Sequence, residues 1–201
     1  MTSILKKAAL AATIAGVAFA SPAFAQSATT AKADGTATVK IYSPLSIAAP
    51  AAADSVVDFG VLVGTRVSGA TPRAAHDFTI DANLAPTAGS VCTGATNWTC
   101  SGSPHRANYL VSGSIASAVN VWLTSPTITL LRSGGVGTNP DDTVPLSLTL
   151  SETSDSNLDG YSDFVLTTGS KNVYVGGALQ VSATDSDGVY VGSFEINADY
   201  Q

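Results

Sequence analysis

Glutamate is nearly missing from this chain: Glu152 and Glu195 are the only two among 201 residues. A pair of carboxylates for glycoside hydrolysis would have to come from aspartates, and those cluster in turn-like stretches. Asp in a turn usually bonds its own backbone. Histidine is almost as scarce, with His76 and His105 far apart and at no metal-ligand spacing. The Gly-x-Ser-x-Gly elbow, the His-Glu-x-x-His zinc motif and the phosphate-cradling glycine loop are all absent. The chain therefore reads as a non-enzyme with no cofactor, apart from a possible Ca²⁺ site considered below.

Basic residues are few, and two of them sit in a leader. Lys6 and Lys7 precede an apolar run from Ala8 to Phe19, and Ala23-Phe24-Ala25 follows as a small-x-small cleavage site. The run is too short to span a bilayer as a helix. Residues 1–25 are expected to be a signal peptide, cleaved to leave 176 residues from Gln26 to Gln201. Losing Lys6 and Lys7 leaves seven basic against fifteen acidic residues, a net charge of −8. So acidic a chain has no footprint for nucleic acid or anionic lipid. No second apolar stretch is long enough for a membrane helix, so no membrane insertion is expected after cleavage. The expected location is secreted: periplasm, cell surface or extracellular.

Only two cysteines occur, Cys92 and Cys100, eight positions apart. Redox-active pairs are usually spaced Cys-x-x-Cys, so in an exported chain this pair reads as a structural disulfide.

Helical periodicity is missing too, and period two takes its place. Tyr190, Phe194, Ile196, Ala198 and Tyr200 fall on one face of the C-terminal segment, with Ser193, Glu195, Asn197 and Asp199 on the other. Successive side chains of a strand point to opposite sides, so this is a half-buried strand. Val173/Val175/Leu179/Val181, Val144/Leu146/Leu148/Leu150 and Phe78/Ile80/Ala82/Leu84 repeat the pattern, as do Tyr109/Val111/Ile115 and Val119/Val121/Leu123. Trp122 is out of phase with its neighbours Val121 and Leu123. It faces either solvent, a partner, or a neighbouring sheet. Turn formers such as Asn139-Pro140-Asp141-Asp142 and Asp187-Gly188 separate the runs. The expectation is an all-β fold: an antiparallel, immunoglobulin-like β-sandwich of about eight to ten strands spanning residues 36–201. Residues 26–35, rich in Ser, Ala and Thr, read as a flexible leader.

The stretch Asp155-Ser-Asn-Leu-Asp-Gly-Tyr-Ser-Asp163 resembles the start of a calcium loop, with Asp155, Asn157 and Asp159 alternating before Gly160. Tyr161 would offer its carbonyl and Asp163 would occupy the ninth position. The twelfth position, where a bidentate Glu belongs, is Leu166. A plain polar hairpin loop is the other reading, and in either case the loop braces the fold.

Three motifs carry a resemblance. Asp58-Phe59-Gly60, Val175-Gly176-Gly177-x-Leu179 and Gly188-x-Tyr190-x-Gly192 are similar to those of the domain of unknown function 4402 family, secreted bacterial β-proteins. The C-terminal strand, with Phe194, Ile196 and the penultimate Tyr200, also resembles that of chaperone–usher pilus subunits. That resemblance implies assembly by strand addition, in which the N-terminal extension of one subunit completes the sandwich of the next. The corresponding assembly strand here is Ala37, Val39 and Ile41, broken after Ser43 by Pro44. The implied partners are copies of the chain itself or a periplasmic chaperone. The functional expectation is an exported structural or adhesive, fimbria-like subunit. The alternative is a self-complete extracellular binding module for carbohydrate or calcium.

Overall fold

The computed structural model describes residues 36–65, 74–152, 154 and 161–201. They fall into two units, the first with only residues 36–39 described and the second beginning at Lys40. The second unit is all-β and antiparallel throughout, as the alternation implied.

Its described strands are β1 (Ser46–Ala48), β2 (Val61–Gly64), β3 (His76–Ile80), β4 (Trp98–Ser101), β5 (Ala107–Ser112) and β6 (Ala118–Leu123). They continue with β7 (Thr127–Arg132), β8 (Thr143–Leu150), β9 (Ser162–Val165), β10 (Ser170–Val181), β11 (Tyr190–Val191) and β12 (Ile196–Tyr200). Ten of the twelve are four residues or longer, matching the eight to ten runs read from the sequence. Two runs end early: Leu84 and Ile115 lie beyond β3 and β5 and are exposed.

Seven strands form one sheet in the order β1-β5-β10-β8-β7-β11, with β3 also on β10. The organiser is β10, twelve residues long. Its first half, Ser170 to Val175, pairs with β5, and Gly177 to Val181 pair with β3. Gly176 falls at the changeover. A Cβ there would sit 2.6 Å from the Ala82 nitrogen and closer still to the Ile80 oxygen, so only glycine lets the two backbones meet. Gly177 is equally constrained, by the Ser147 oxygen of β8 at 2.5 Å from its would-be Cβ.

The odd residues of β10 point inward with Val144, Leu146 and Leu148 of β8 and Phe78 and Ile80 of β3. Over one end of this face lies the three-stranded sheet β12-β6-β9. Val119, Val121 and Phe164 pack there against Val111 and Val173, giving the sandwich its second hydrophobic cluster. Over the rest lie Phe59, the short helix α1 (Ala88–Val91) and the two-stranded sheet β2-β4. Cys92 and Cys100 are disulfide-bonded, with Cα atoms 5.8 Å apart, tying the end of α1 to β4. The bridge brings Trp98 to the core, edge-on to Phe78 at 5.0 Å.

The Asn139–Asp142 stretch is a turn, as its composition required. Asp142, 3% exposed, accepts from Arg132 Nε at 2.6 Å and from the Val136 N–H at 3.1 Å. The hydrogen-bonded guanidinium, and then the backbone N–H, hold its carboxyl at about 2, below the ordinary 3.8.

Candidate assembly edge and surface sites

The last strand has a covered edge and an open one. It pairs with β6 from Ile196↔Leu123 to Tyr200↔Val119. Glu195 accepts from the Thr124 N–H, and the Gln201 N–H donates to Ala118. In an antiparallel ladder residues alternate in which edge their backbone faces. The odd-numbered residues therefore face β6, and the N–H and C=O groups of Ile196, Ala198 and Tyr200 face the other edge. The sheet ends there: no described strand lies beyond β12. On that edge the Tyr200 N–H takes the Asp199 side chain, at 2.8 Å. The side chains of Ile196, Ala198 and Tyr200 turn into the core. Phe194, just before the strand, meets Tyr109 edge-on at 6.3 Å.

Tyr200, picked out in the sequence as the penultimate aromatic, reaches the chain just before β1. Its hydroxyl donates to the Ser43 carbonyl and accepts from the Ser114 N–H, both at 2.7 Å. Its ring stacks on Tyr42 at 4.7 Å. The chain is thus pinned at Tyr42–Ser43, immediately before Pro44 and β1.

The three residues read as an assembly strand precede this pin. Ala37, Val39 and Ile41 form no strand, and Val39 and Ile41 are each 84% exposed.

Of the acidic loop, Asp155, Asn157 and Asp159 lie outside the described residues. Tyr161 and Asp163 are described and part company. Asp163 is buried on β9 and its N–H donates to the Ser154 carbonyl. Tyr161 is 40% exposed, its ring 4.8 Å from that of Trp122. Among the described residues no group of three His, Cys, Asp or Glu is placed to hold a metal ion. The two histidines are also separate: His76 lies edge-on to Phe78, and His105 bridges Asp58 through backbone bonds at 2.8 and 2.9 Å. A shallow groove of about 770 Å³ opens beside His76, lined by Asp77, Asp141, Gln180 and Asp185 among others.

The motifs singled out in the sequence have structural duties. Asp58 accepts the Gly60 N–H at 2.8 Å. Gly60 itself has φ +74° and lies against the Ser101 oxygen, a conformation and a clearance that favour glycine. Tyr190 donates its hydroxyl to the Ser186 carbonyl at 2.7 Å.

The model of the family described as Domain of unknown function (DUF4402) matches residues 58–200. No curated protein matches the chain. A solved structure, the E. coli Hda pilus minor tip subunit HdaB, aligns over 78% of this chain and 82% of that chain, at 11% identity and a TM-score of 0.28. So loose a superposition bears on neither the strand order nor the function of this chain.

Proposed function

The chain belongs to the domain of unknown function 4402 family, and from that premise we propose that it is an exported, non-catalytic surface protein. In this reading it is a structural or adhesive, fimbria-like subunit that assembles by adding a strand to a neighbouring copy. One observation carries it: an unused strand and an unused edge occur in the same chain. Ala37, Val39 and Ile41 alternate with polar residues yet form no strand, and their two large side chains stand in solvent. The outer edge of β12 pairs with no described strand, and Ile196, Ala198 and Tyr200 turn inward along it.

An open edge is a template for another chain's strand, and a period-two apolar segment is the shape that fills it. Burying Val39 and Ile41 would contribute roughly 1.5–3 kcal/mol each, before the cost of ordering the arm. The pin at Tyr42–Ser43 would fix the chain just after the arm. Removal of residues 1–25 on export, followed by the leader 26–35, would leave the arm free. A periplasmic chaperone would be expected to cover the edge until assembly. Both leader segments lie outside the described residues.

The test is oligomerisation of the mature chain. Concentration-dependent oligomers that resist mild detergent are expected, and Val39→Asp with Ile41→Asp should abolish them without lowering the melting temperature. A chain beginning at Pro44 also loses the Tyr42 and Ser43 contacts with Tyr200, so it should be less stable and aggregate, and added peptide 27–43 should rescue it. A mature protein that remains a heat-stable monomer at every concentration would sink this reading.

A further inference from the structure

The open edge of β12 carries a guard. Asp199 is exposed and turns to the outer face of its sheet, yet its carboxylate reaches round to accept the Tyr200 N–H at 2.8 Å. That N–H is one of the edge donors an added strand would need, and the acid fills it. Glu152 is held by Lys171 and Asp142 by Arg132, whereas no described cation pairs with Asp199. The segment before the sandwich supplies the opposite charge. Of the seven basic and fifteen acidic residues from position 26 onward, residues 26–41 hold Lys32 and Lys40 against Asp34 alone. Lys40 is exposed, its ammonium resting 4.9 Å from the Tyr42 ring centre, a solvated contact that competes weakly with an ion pair.

Resting on strand addition as the mode of assembly, we propose that Lys40 of one copy pairs with Asp199 of the next, and that this ion pair releases the guard and sets the register. Alternation dictates the geometry. With Val39 and Ile41 turned to the core, Lys40 turns outward, onto the face that holds Asn197 and Asp199. Period two alone does not fix the register, because sliding the arm by two residues keeps the same side chains inward. Val39 and Ile41 abreast of Ala198 and Tyr200 bring Lys40 abreast of Asp199, whichever way the arm runs. Opposite charges directly across two strands stabilise the pairing. A carboxylate that turns to an ammonium also frees the Tyr200 N–H for the backbone of the arm. An uncharged or acidic segment offers Asp199 no such exchange and leaves the edge capped. The pair thus discriminates between the arm of this chain and other extended peptides.

Sedimentation equilibrium of the mature chain, residues 26–201, in about 0.15 M NaCl tests the pair. Lys40→Glu and Asp199→Lys should each weaken self-association at least about threefold, and the two together should return it to within about twofold of the parent. Lys40→Arg should keep it, and Glu195→Gln, on the same face but outside this register, should leave it unchanged. Raising NaCl to about 0.5 M should weaken association of the parent and spare that of Lys40→Met. The replaced side chains are exposed, so melting temperatures should stay with the parent. If Asp199→Lys melts early, Lys40→Glu against Lys40→Arg decides. Oligomers that Val39→Asp with Ile41→Asp abolishes but Lys40→Glu spares would overturn the pair and leave strand addition standing. Failure of the double exchange to restore association, with both single variants folded, would do the same. So would exchanges that move only the melting temperature, the mark of a pair formed within one copy. A parent that stays monomeric removes strand addition and this inference together.

Discussion

Replacing Gly176 by alanine tests the account of how the large sheet is organised. The new methyl would lie 2.6 Å from the Ala82 nitrogen and closer still to the Ile80 oxygen, where ordinary contact begins near 3.4 Å, so the end of β3 must retreat by more than roughly 0.8 Å. Its neighbours at that point are backbone atoms, which have no rotamer to change. Overpacking of this kind costs about 1–3 kcal/mol, and loosening the adjoining β3–β10 hydrogen bonds adds about 1 kcal/mol. Alanine's smaller unfolded-state entropy offsets about 0.4–1 kcal/mol of that. The net loss is then on the order of 2–3 kcal/mol, or a fall of roughly 4–12 °C in melting temperature for a chain of this size. Differential scanning calorimetry on the mature protein measures it. Gly137→Ala is the control, because nothing lies within 4 Å of a Cβ there, and it should melt within about 2 °C of the parent. If Gly176→Ala melts with the parent, β10 does not exchange β5 for β3 at this residue, and the sheet order is wrong.

Acid titration addresses the Arg132–Asp142 pair. The carboxyl is held at about 2 against an ordinary 3.8, so its contribution to stability is complete above about pH 4 and is lost as pH falls toward 2. Urea unfolding from pH 6 to 2 should show that loss, and Asp142→Asn should be less stable at pH 7 and flatter across the same window. The bridge between Cys92 and Cys100 should leave no alkylatable thiol by intact mass. Replacing both by Ser should cost about 2–3 kcal/mol on the chain-entropy model without abolishing the fold. Calcium at ~1 mM is expected to leave the melting temperature unchanged; a rise abolished by Asp155→Ala with Asp159→Ala would establish the metal site instead.

Which faces are buried was legible in the sequence; which strands are neighbours was not. Alternation at Phe78/Ile80, Val144–Leu148 and Val173–Val181 correctly named inward residues, because period two is a local property of the pleat. The partner of each strand depends on residues far away in the chain. Nothing local to Val175-Gly176-Gly177 says that two different strands share one edge there, although glycine inside a strand is a sign of close backbone approach. Trp98 illustrates the same limit. It sits between two cysteines in a Gly- and Thr-rich stretch, and only the disulfide and β4 carry it to Phe78. Trp122, out of phase with its neighbours, left open whether it faced outward or packed on a neighbouring sheet; it is half-buried beside Tyr161. Ala37–Ile41 showed the opposite failure, since strand periodicity there is present without a strand. Periodicity reports the readiness of a segment to pair, and pairing needs an edge.

That distinction bears on how one short strand can serve several ends. Along β12 the even residues Ile196, Ala198 and Tyr200 turn into the core, and the odd residues Asn197 and Asp199 turn out beside Trp122 and Asn120. The backbone groups of the even residues face neither direction but the open edge. Folding and strand addition would therefore draw mainly on different atoms of the same five residues, with the Asp199 carboxylate reaching from the outer face to the edge N–H of Tyr200. A substitution at an odd position should alter the outer face without disturbing the core, because the side chain it removes never enters it. A substitution at an even position cannot be so selective. Loss of the Tyr200 hydroxyl would release Ser43 and Ser114 together, loosening the root of the arm as well as the sandwich. Gly60, Gly176 and Tyr190 follow the same division, serving close packing and turns.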